Sequence, residues 1–457
     1  MNPAGQTILV YNPPAMSSAA PSPAPGFLRA VSRWEIVALS INGVVGSGVY
    51  LVLPVSTAAL LGPSSVWAIP AGGLAVLLIV LCFAEAASRF DRPGGAYLYT
   101  RAAFGDFVGF EVGWMTWLAR VAAIAALAVF FSRVLAYFWP AAERGAGLAL
   151  TVVLPLALFT LINVAGVKAG ARTTVVLTIG KLLPLLLLVA VGLLALPWGR
   201  VFPVPLPDAK QFGPAALLVL YAYSGFETVS GPAGEYKDPQ RNLPFALITQ
   251  LLVVTVVYSL VQLVAIAFVP DLGHAETPLS DAGRALLGPA GGALLTLGAA
   301  ISVLGTNNGM LLSGPRFLYA MAEGGALPPV FGRIHPRYRT PYVAILATAG
   351  LALGLIAVDA VTHSIWPGAF GVAEELALIS IVARLVSYLG TCLAVPVLRR
   401  RPPETSRTIV LPGGLLIPAA AVVINVFLVA AVERKIFVAG AIALAAGALL
   451  YRGGSRR

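Results

Sequence analysis

Asn42-Gly43-Val44-Val45-Gly46-Ser47-Gly48 and Tyr221-Ala222-Tyr223-Ser224-Gly225-Phe226-Glu227 are the two stretches whose reading decides how this chain folds. Each lies inside a long apolar run, and Gly231-Pro232 closely follows the second. Glycine admits the φ/ψ values at which a helix unwinds, and proline removes a backbone donor. A single glycine cluster in an apolar helix is also explained by close helix packing. Two clusters five spans apart mark a pair of interrupted helices. Unwound backbone at membrane depth is tolerated only where protein, water or a ligand satisfies it, so such pairs gather at a central site.

The sequence around these stretches is that of a membrane protein. Of 457 residues, 58% are hydrophobic and 11% charged, and the mean hydropathy is +0.88. A soluble domain carries roughly 25% charged residues. This excludes a soluble enzyme, a nucleic-acid-binding domain and a disordered scaffold, and leaves an all-α polytopic protein with lipid around most of its surface. The net charge of +11 is no nucleic-acid signature, because the positive residues lie between apolar runs. Cys82 and Cys392 each sit inside an apolar run, and His274, His335 and His363 lack ligand spacing. No disulfide framework, metal or other cofactor is therefore expected.

Twelve apolar runs of spanning length fall near residues 34–60, 66–88, 107–137, 148–166, 173–197, 213–233, 244–270, 289–315, 341–359, 371–397, 409–431 and 436–451, here numbered spans 1 to 12. Lys and Arg number 20 on the connections that include the N-terminus and 6 on the opposite set. The positive-inside rule then places both termini in the cytoplasm of a multi-pass protein of the cell membrane. Residues 1–30, rich in Pro, Ala and Ser, read as a disordered cytoplasmic tail rather than a signal peptide, and 452–457 as a short basic tail. No cysteine falls in an outward loop, so no covalently attached partner subunit is expected.

A broken helix exposes N–H groups where its second half begins, and the helix dipole favours an anion there. It exposes carbonyls where its first half ends, which favour a cation. An α-amino acid, with carboxylate and ammonium on one carbon, answers both ends.

The motifs point to a family. Gly46-Ser47-Gly48-Val49-Tyr50 resembles the first-helix signature of the amino acid–polyamine–organocation (APC) superfamily. Gly225-Phe226-Glu227 with Glu235-Tyr236-Lys237-Asp238-Pro239 through Pro244 is similar to its sixth helix and following loop, and Arg316 to Pro328 to the end of its eighth. Spans 11 and 12 carry no comparable signature. The resemblance implies a core over 31–400, built from two inverted five-helix repeats (about 31–200 and 210–400), plus two extra helices over 401–451. It places the substrate carboxylate on the N–H groups of Ser47 and Gly48, beside Gly46, with help from the Ser47 hydroxyl. It places the ammonium on the carbonyls of Val44, Tyr221 and Ser224. The side chain would meet Ile124 and Leu127 of span 3 and Met310 of span 8, an apolar set that suits a neutral or aliphatic amino acid.

Charge inside a span costs about 3 kcal/mol or more, so intramembrane ionisable residues are functional candidates. Lys181, mid-span in Thr178-Ile179-Gly180-Lys181-Leu182-Leu183-Pro184, corresponds in similar family members to a lysine that takes the place of a sodium ion, and is expected to be the proton-coupling group. Glu227, just after the second break, is either a proton-sensitive gate or the partner of a nearby polar group. Arg120 of span 3 and Glu374-Glu375 of span 10 read as a structural ion pair, with Arg384 or a cationic substrate as other partners for the carboxylates. Arg384 and Arg316 read as anchors of helix ends near the cytoplasm.

The sequence thus points to a transporter of amino acids working by alternating access, with protons as the coupling ion in symport. Exchange, a cationic amino acid or polyamine permease and a non-transporting sensor are the alternatives. No catalytic set lies within the spans, and no GxxxxGK[ST] loop is present for an ATP-driven pump.

Overall fold

The computed structural model describes residues 26–206, 215, 218–220, 222–365, 372–403, 408–430 and 432–454, with side chains from 363 to 379 outside that set. Among the described residues every regular element is a helix, joined by turns and loops, apart from one isolated bridge between Val31 and Tyr236. Among the described residues nine helices are long and apolar enough to cross a membrane, and Leu416–Ala430, in span 11, is a shorter apolar helix. Spans 1, 6 and 11 have, among the described residues, no helix of spanning length of their own, and 1 and 6 are interrupted at the glycine clusters.

Span 1 begins at Arg33, where the Glu35 carboxylate accepts the Ser32 backbone N–H at 2.7 Å and adds negative charge to the first turn. The α-helix stops at Val44. The chain opens through Val45 and Gly46 and resumes as a π turn, Gly48–Val52, followed by the helix Leu53–Leu61. Span 6 is helical at 218–220 and 222, then turns through Gly225 at φ +111, a left-handed conformation open to glycine. Beyond that turn it continues as short 3₁₀ segments, Phe226–Ser230 and Ala233–Glu235, and not as a second α-helical half.

The two breaks touch. A Cβ built on Gly43 would stand 2.6 Å from Gly225 O, and one built on Gly225 would stand 2.1 Å from Gly43 O. No side chain larger than hydrogen fits between the two backbones. Around this crossing pack spans 5 (Val167–Leu194), 7 (Pro239–Phe268) and 8, while span 3 (Asp106–Leu135) and span 10 (Val372–Arg399) reach its span 6 side through Arg120 and Tyr388.

Span 8 differs from expectation. Its helical run extends over Pro278–Glu323, kinked at Gly288 (φ +69), so a short helix precedes the span and Arg316 lies two turns inside its end. A further helix, Ala96–Phe104, occupies what reads from sequence as a plain connection. It is held against the segment after span 6 by the Gly94 N–H, which donates to Gly231 O at 3.0 Å.

One end of the bundle is sealed where the start of span 1, the segment after span 6 and the end of span 8 meet. Ala30 N–H donates to Glu235 O at 3.0 Å and Lys237 N–H to Val31 O at 2.9 Å. Phe27 packs edge-on against Tyr319. Arg316 forms a two-pronged pair with Glu235, 2.9 Å on each side, both side chains fully buried. Arg316 is therefore a buried cross-link between span 8 and the segment after span 6, not an anchor at a helix end. The long-range pairing hides what sequence position suggests.

Candidate functional site

A cavity of about 380 Å³ opens beside the crossing of the two breaks. Span 1 contributes Gly43, Val44, Gly46, Ser47 and Gly48 to its wall, and span 6 contributes Ser224. Leu127 of span 3 and Met310 of span 8 face it, as expected from the sequence. Ile124 does not. It is buried away from the cavity, and its carbonyl accepts the side-chain N–H of Asn307 at 3.2 Å. The two positions lie about 60° apart around the helix at 3.6 residues per turn, enough for one to face the cavity and the other span 8. Tyr221 falls outside the described residues.

The polar groups around span 1 follow from the interruption itself. The last carbonyls of a helix have no partner within it, and here Lys181 supplies one. Its ammonium, fully buried, donates to Asn42 O at 3.1 Å and to Val45 O. Val45 O also accepts the Ser302 hydroxyl at 3.2 Å. Val44 O accepts the Tyr258 hydroxyl at 3.0 Å, so the carbonyl expected to hold the substrate ammonium already has one donor and one remaining lone pair. Asn42 ties the same turn to span 8 by donating to Gly305 O at 2.8 Å. Lys181 thus stands behind the break, outside the cavity wall, with a cation's place among helix-end carbonyls.

On the span 6 side, Glu227 is buried next to Arg120, with Oε1 2.9 Å from Nη2. Its other oxygen accepts the Gly225 backbone N–H at 2.9 Å and the Tyr388 hydroxyl at 2.7 Å. The described partner of Arg120 is thus Glu227; the reading that joins it to Glu374 or Glu375 falls on side chains outside the described residues. The helical backbone of both glutamates is described, but their side chains are not. The reading of Arg384 is corrected. It lies in the cavity wall, donating from Nη1 to Ser224 Oγ at 2.5 Å, with Nε 4.0 Å from Glu227. Its distance from Tyr388, four residues along span 10, is one helical turn, so both face span 6.

Several further wall residues were not singled out from the sequence, although Arg133, a charge inside span 3, carried the signal of an intramembrane ionisable group. Phe130 and Arg133 extend the Leu127 face of span 3 by a turn, Thr306 precedes Met310 by a turn, and Ser380 precedes Arg384 by a turn. The i, i+3 and i, i+4 spacing from residues already placed is the pattern that picks them out. Tyr388 was missed because a tyrosine in an apolar span is ordinary until its partner is known. It stacks on Phe226 at 5.1 Å, and Phe83 meets both rings edge-on.

Two interrupted spans meeting at a cavity within a bundle of lipid-length helices define a membrane transporter. Residues 31–442 match the amino acid permease family, and the chain belongs to it. The chain is 30% identical over 415 residues to the serine/threonine exchanger SteT of Bacillus subtilis (strain 168), covering 87% of this chain and 89% of that protein. The methylthioribose transporter of the same organism is 27% identical, with 96% of each chain covered. The branched-chain amino acid permease BcaP, also from B. subtilis, is 28% identical over 88% of this chain and 87% of its own. These are transporters and not enzymes, and an amino acid permease of the APC superfamily is a multi-pass membrane protein acting on a small-molecule substrate.

Proposed function

We propose that the protein moves neutral amino acids across the cell membrane by alternating access around the two breaks, coupled to protons in symport. The observation that carries the reading is the shared wall. Val44, Gly46, Ser47 and Gly48 of one break and Ser224 of the other line a single cavity. In this reading the substrate carboxylate lies on the N–H groups of Ser47 and Gly48, its ammonium on the carbonyls of Val44 and Ser224, and its side chain against Leu127 and Met310. The amine of Lys181, donating to the Asn42 and Val45 carbonyls, stands where a bound cation would, carries that charge when protonated, and is the candidate proton-coupling group.

Arg133 and Arg384 are in the wall, and among its described residues there is no acid. This weighs against a cationic amino acid or polyamine as substrate. Both termini are placed in the cytoplasm, so the sealed end faces inward and the cavity opens outward. Exchange is the second reading, favoured by the likeness to a serine/threonine exchanger.

Purified protein in liposomes, offered labelled serine, threonine, leucine, arginine and glutamate, with methylthioribose as a competitor, tests the substrate class. Saturable uptake of a neutral amino acid supports the reading. Uptake of arginine alone would overturn it.

A further inference from the structure

Two residues that do not line the cavity hold two that do. Glu227 is buried and receives three donors: Arg120 Nη2 at 2.9 Å on one oxygen, and the Gly225 N–H at 2.9 Å and the Tyr388 hydroxyl at 2.7 Å on the other. Arg384 Nε stands 4.0 Å from the first oxygen. The groups facing Glu227 from spans 3, 6 and 10 are thus donors, and a carboxylate, which only accepts, meets all of them. A carboxyl proton would point at a guanidinium on Oε1, and on Oε2 it would meet the Gly225 N–H and require the Tyr388 hydroxyl to turn from donor to acceptor. The same arginine reaches span 8, with its Nη1 3.6 Å from the Met310 sulfur. Its Cβ leaves no slack on that side, since a methyl group on Gly314 would come within 3.0 Å of it.

One guanidinium therefore touches the cavity wall directly at Met310 and, through Glu227, the backbone amide that adjoins Ser224. The contact is specific to arginine, because the planar fork addresses a carboxylate and a sulfur with different nitrogens, which a lysine ammonium on a flexible stem does not reproduce.

We propose that Arg120 is a positioning residue for the substrate site: it fixes Met310 and the Ser224-Gly225 turn relative to each other and so sets selectivity among substrate side chains, while Glu227 serves as its fixed anionic partner and carries no transported proton. The selectivity clause rests on the amino acid transport reading; the placement of Met310 does not.

The test has one arm that needs no transport. A Met310→Cys protein is labelled through the cavity with a water-soluble thiol reagent, against a low background because Cys82 and Cys392 are buried and do not line the cavity. Adding Arg120→Met or Arg120→Lys is expected to change the labelling rate at position 310 by about tenfold, within the range of coupling between neighbours in one network. In the second arm, liposome uptake by Arg120→Met is expected to change the ratio of KM values for a small and a large neutral amino acid. Glu227→Gln is expected to keep the pH profile of uptake. A merely structural role would reduce the yield of folded protein and leave both the labelling rate and the KM ratio as in wild type.

Where Arg120→Met does not fold, Arg120→Lys and the doubly neutral Arg120→Met/Glu227→Gln protein take its place. The proposal is overturned by an unchanged labelling rate in folded protein, by an unchanged KM ratio, or by loss of the pH dependence in Glu227→Gln. If wild-type protein moves no amino acid, the transport reading fails and the labelling arm alone decides the placement of Met310.

Discussion

Replacing Lys181 by alanine removes two hydrogen bonds from the end of the first half of span 1, those to Asn42 O and Val45 O. Val45 O keeps the Ser302 hydroxyl, but Asn42 O, in the last turn of its half-helix, loses its donor. A buried acceptor left without a partner costs about 1–3 kcal/mol. Truncating a buried four-carbon stem adds a cavity cost, and large-to-alanine changes in cores run to about 2–5 kcal/mol. The two contributions separate in Lys181→Met, which keeps the volume and loses only the ammonium, so methionine should be the milder change in stability. On transport both are expected to act alike. A loss of about 1–3 kcal/mol in the conformation that binds substrate lowers apparent affinity roughly 5- to 150-fold. If Lys181 is the group that takes up the coupled proton, the dependence of uptake on pH flattens as well. The assay is the initial rate of uptake into liposomes across the neutral pH range, at several substrate concentrations, with melting temperature measured in parallel. Normal rates with unchanged pH dependence in Lys181→Ala would refute the assignment, whatever the change in melting temperature.

Other expectations follow from the same packing. Gly225→Ala must hold a left-handed φ of +111 and place a methyl 2.1 Å from Gly43 O; the conformational cost alone is about 1–2 kcal/mol, so its melting temperature in detergent falls well below that of Gly48→Ala, where nothing lies within 4 Å. Arg316→Met leaves Glu235 as a buried unpaired carboxylate at a cost of about 3–5 kcal/mol, and thermal unfolding should show the double variant Arg316→Met/Glu235→Gln recovering most of it. Leu127→Ala enlarges the cavity and admits bulkier competitors in uptake assays. Ile124→Ala lowers stability by about 2–5 kcal/mol and leaves the competitor profile as in wild type.

Much of the architecture is written in the chain because lipid imposes a length rule. Each spanning helix needs about 20 apolar residues, and runs of that length can be counted. The breaks were legible for a similar reason, since only glycine lets the backbones at Gly43 and Gly225 approach as they do. What was not legible depends on pairing between helices far apart in sequence. Arg120 and Glu227 are separated by 107 positions, and either could have met another charge. Arg384 sits midway along the apolar run 371–397, and only its pairing with Ser224, 160 positions away, shows that it belongs to the cavity wall. The 3₁₀ course of Phe226–Ser230 was hidden because five residues are too few to show a periodicity of their own. Gly225 before it and Gly231-Pro232 after it leave too short a stretch for α-helical hydrogen bonds to propagate.

The central claim is that this cavity passes amino acids and that a proton gradient drives them. Uptake of a labelled neutral amino acid into liposomes, with and without an inward proton gradient and with no amino acid inside, addresses it most directly. The account predicts accumulation that appears with the gradient and collapses when a protonophore is added. Uptake indifferent to the gradient, occurring only when unlabelled amino acid is present inside, would contradict proton symport and make the protein an exchanger.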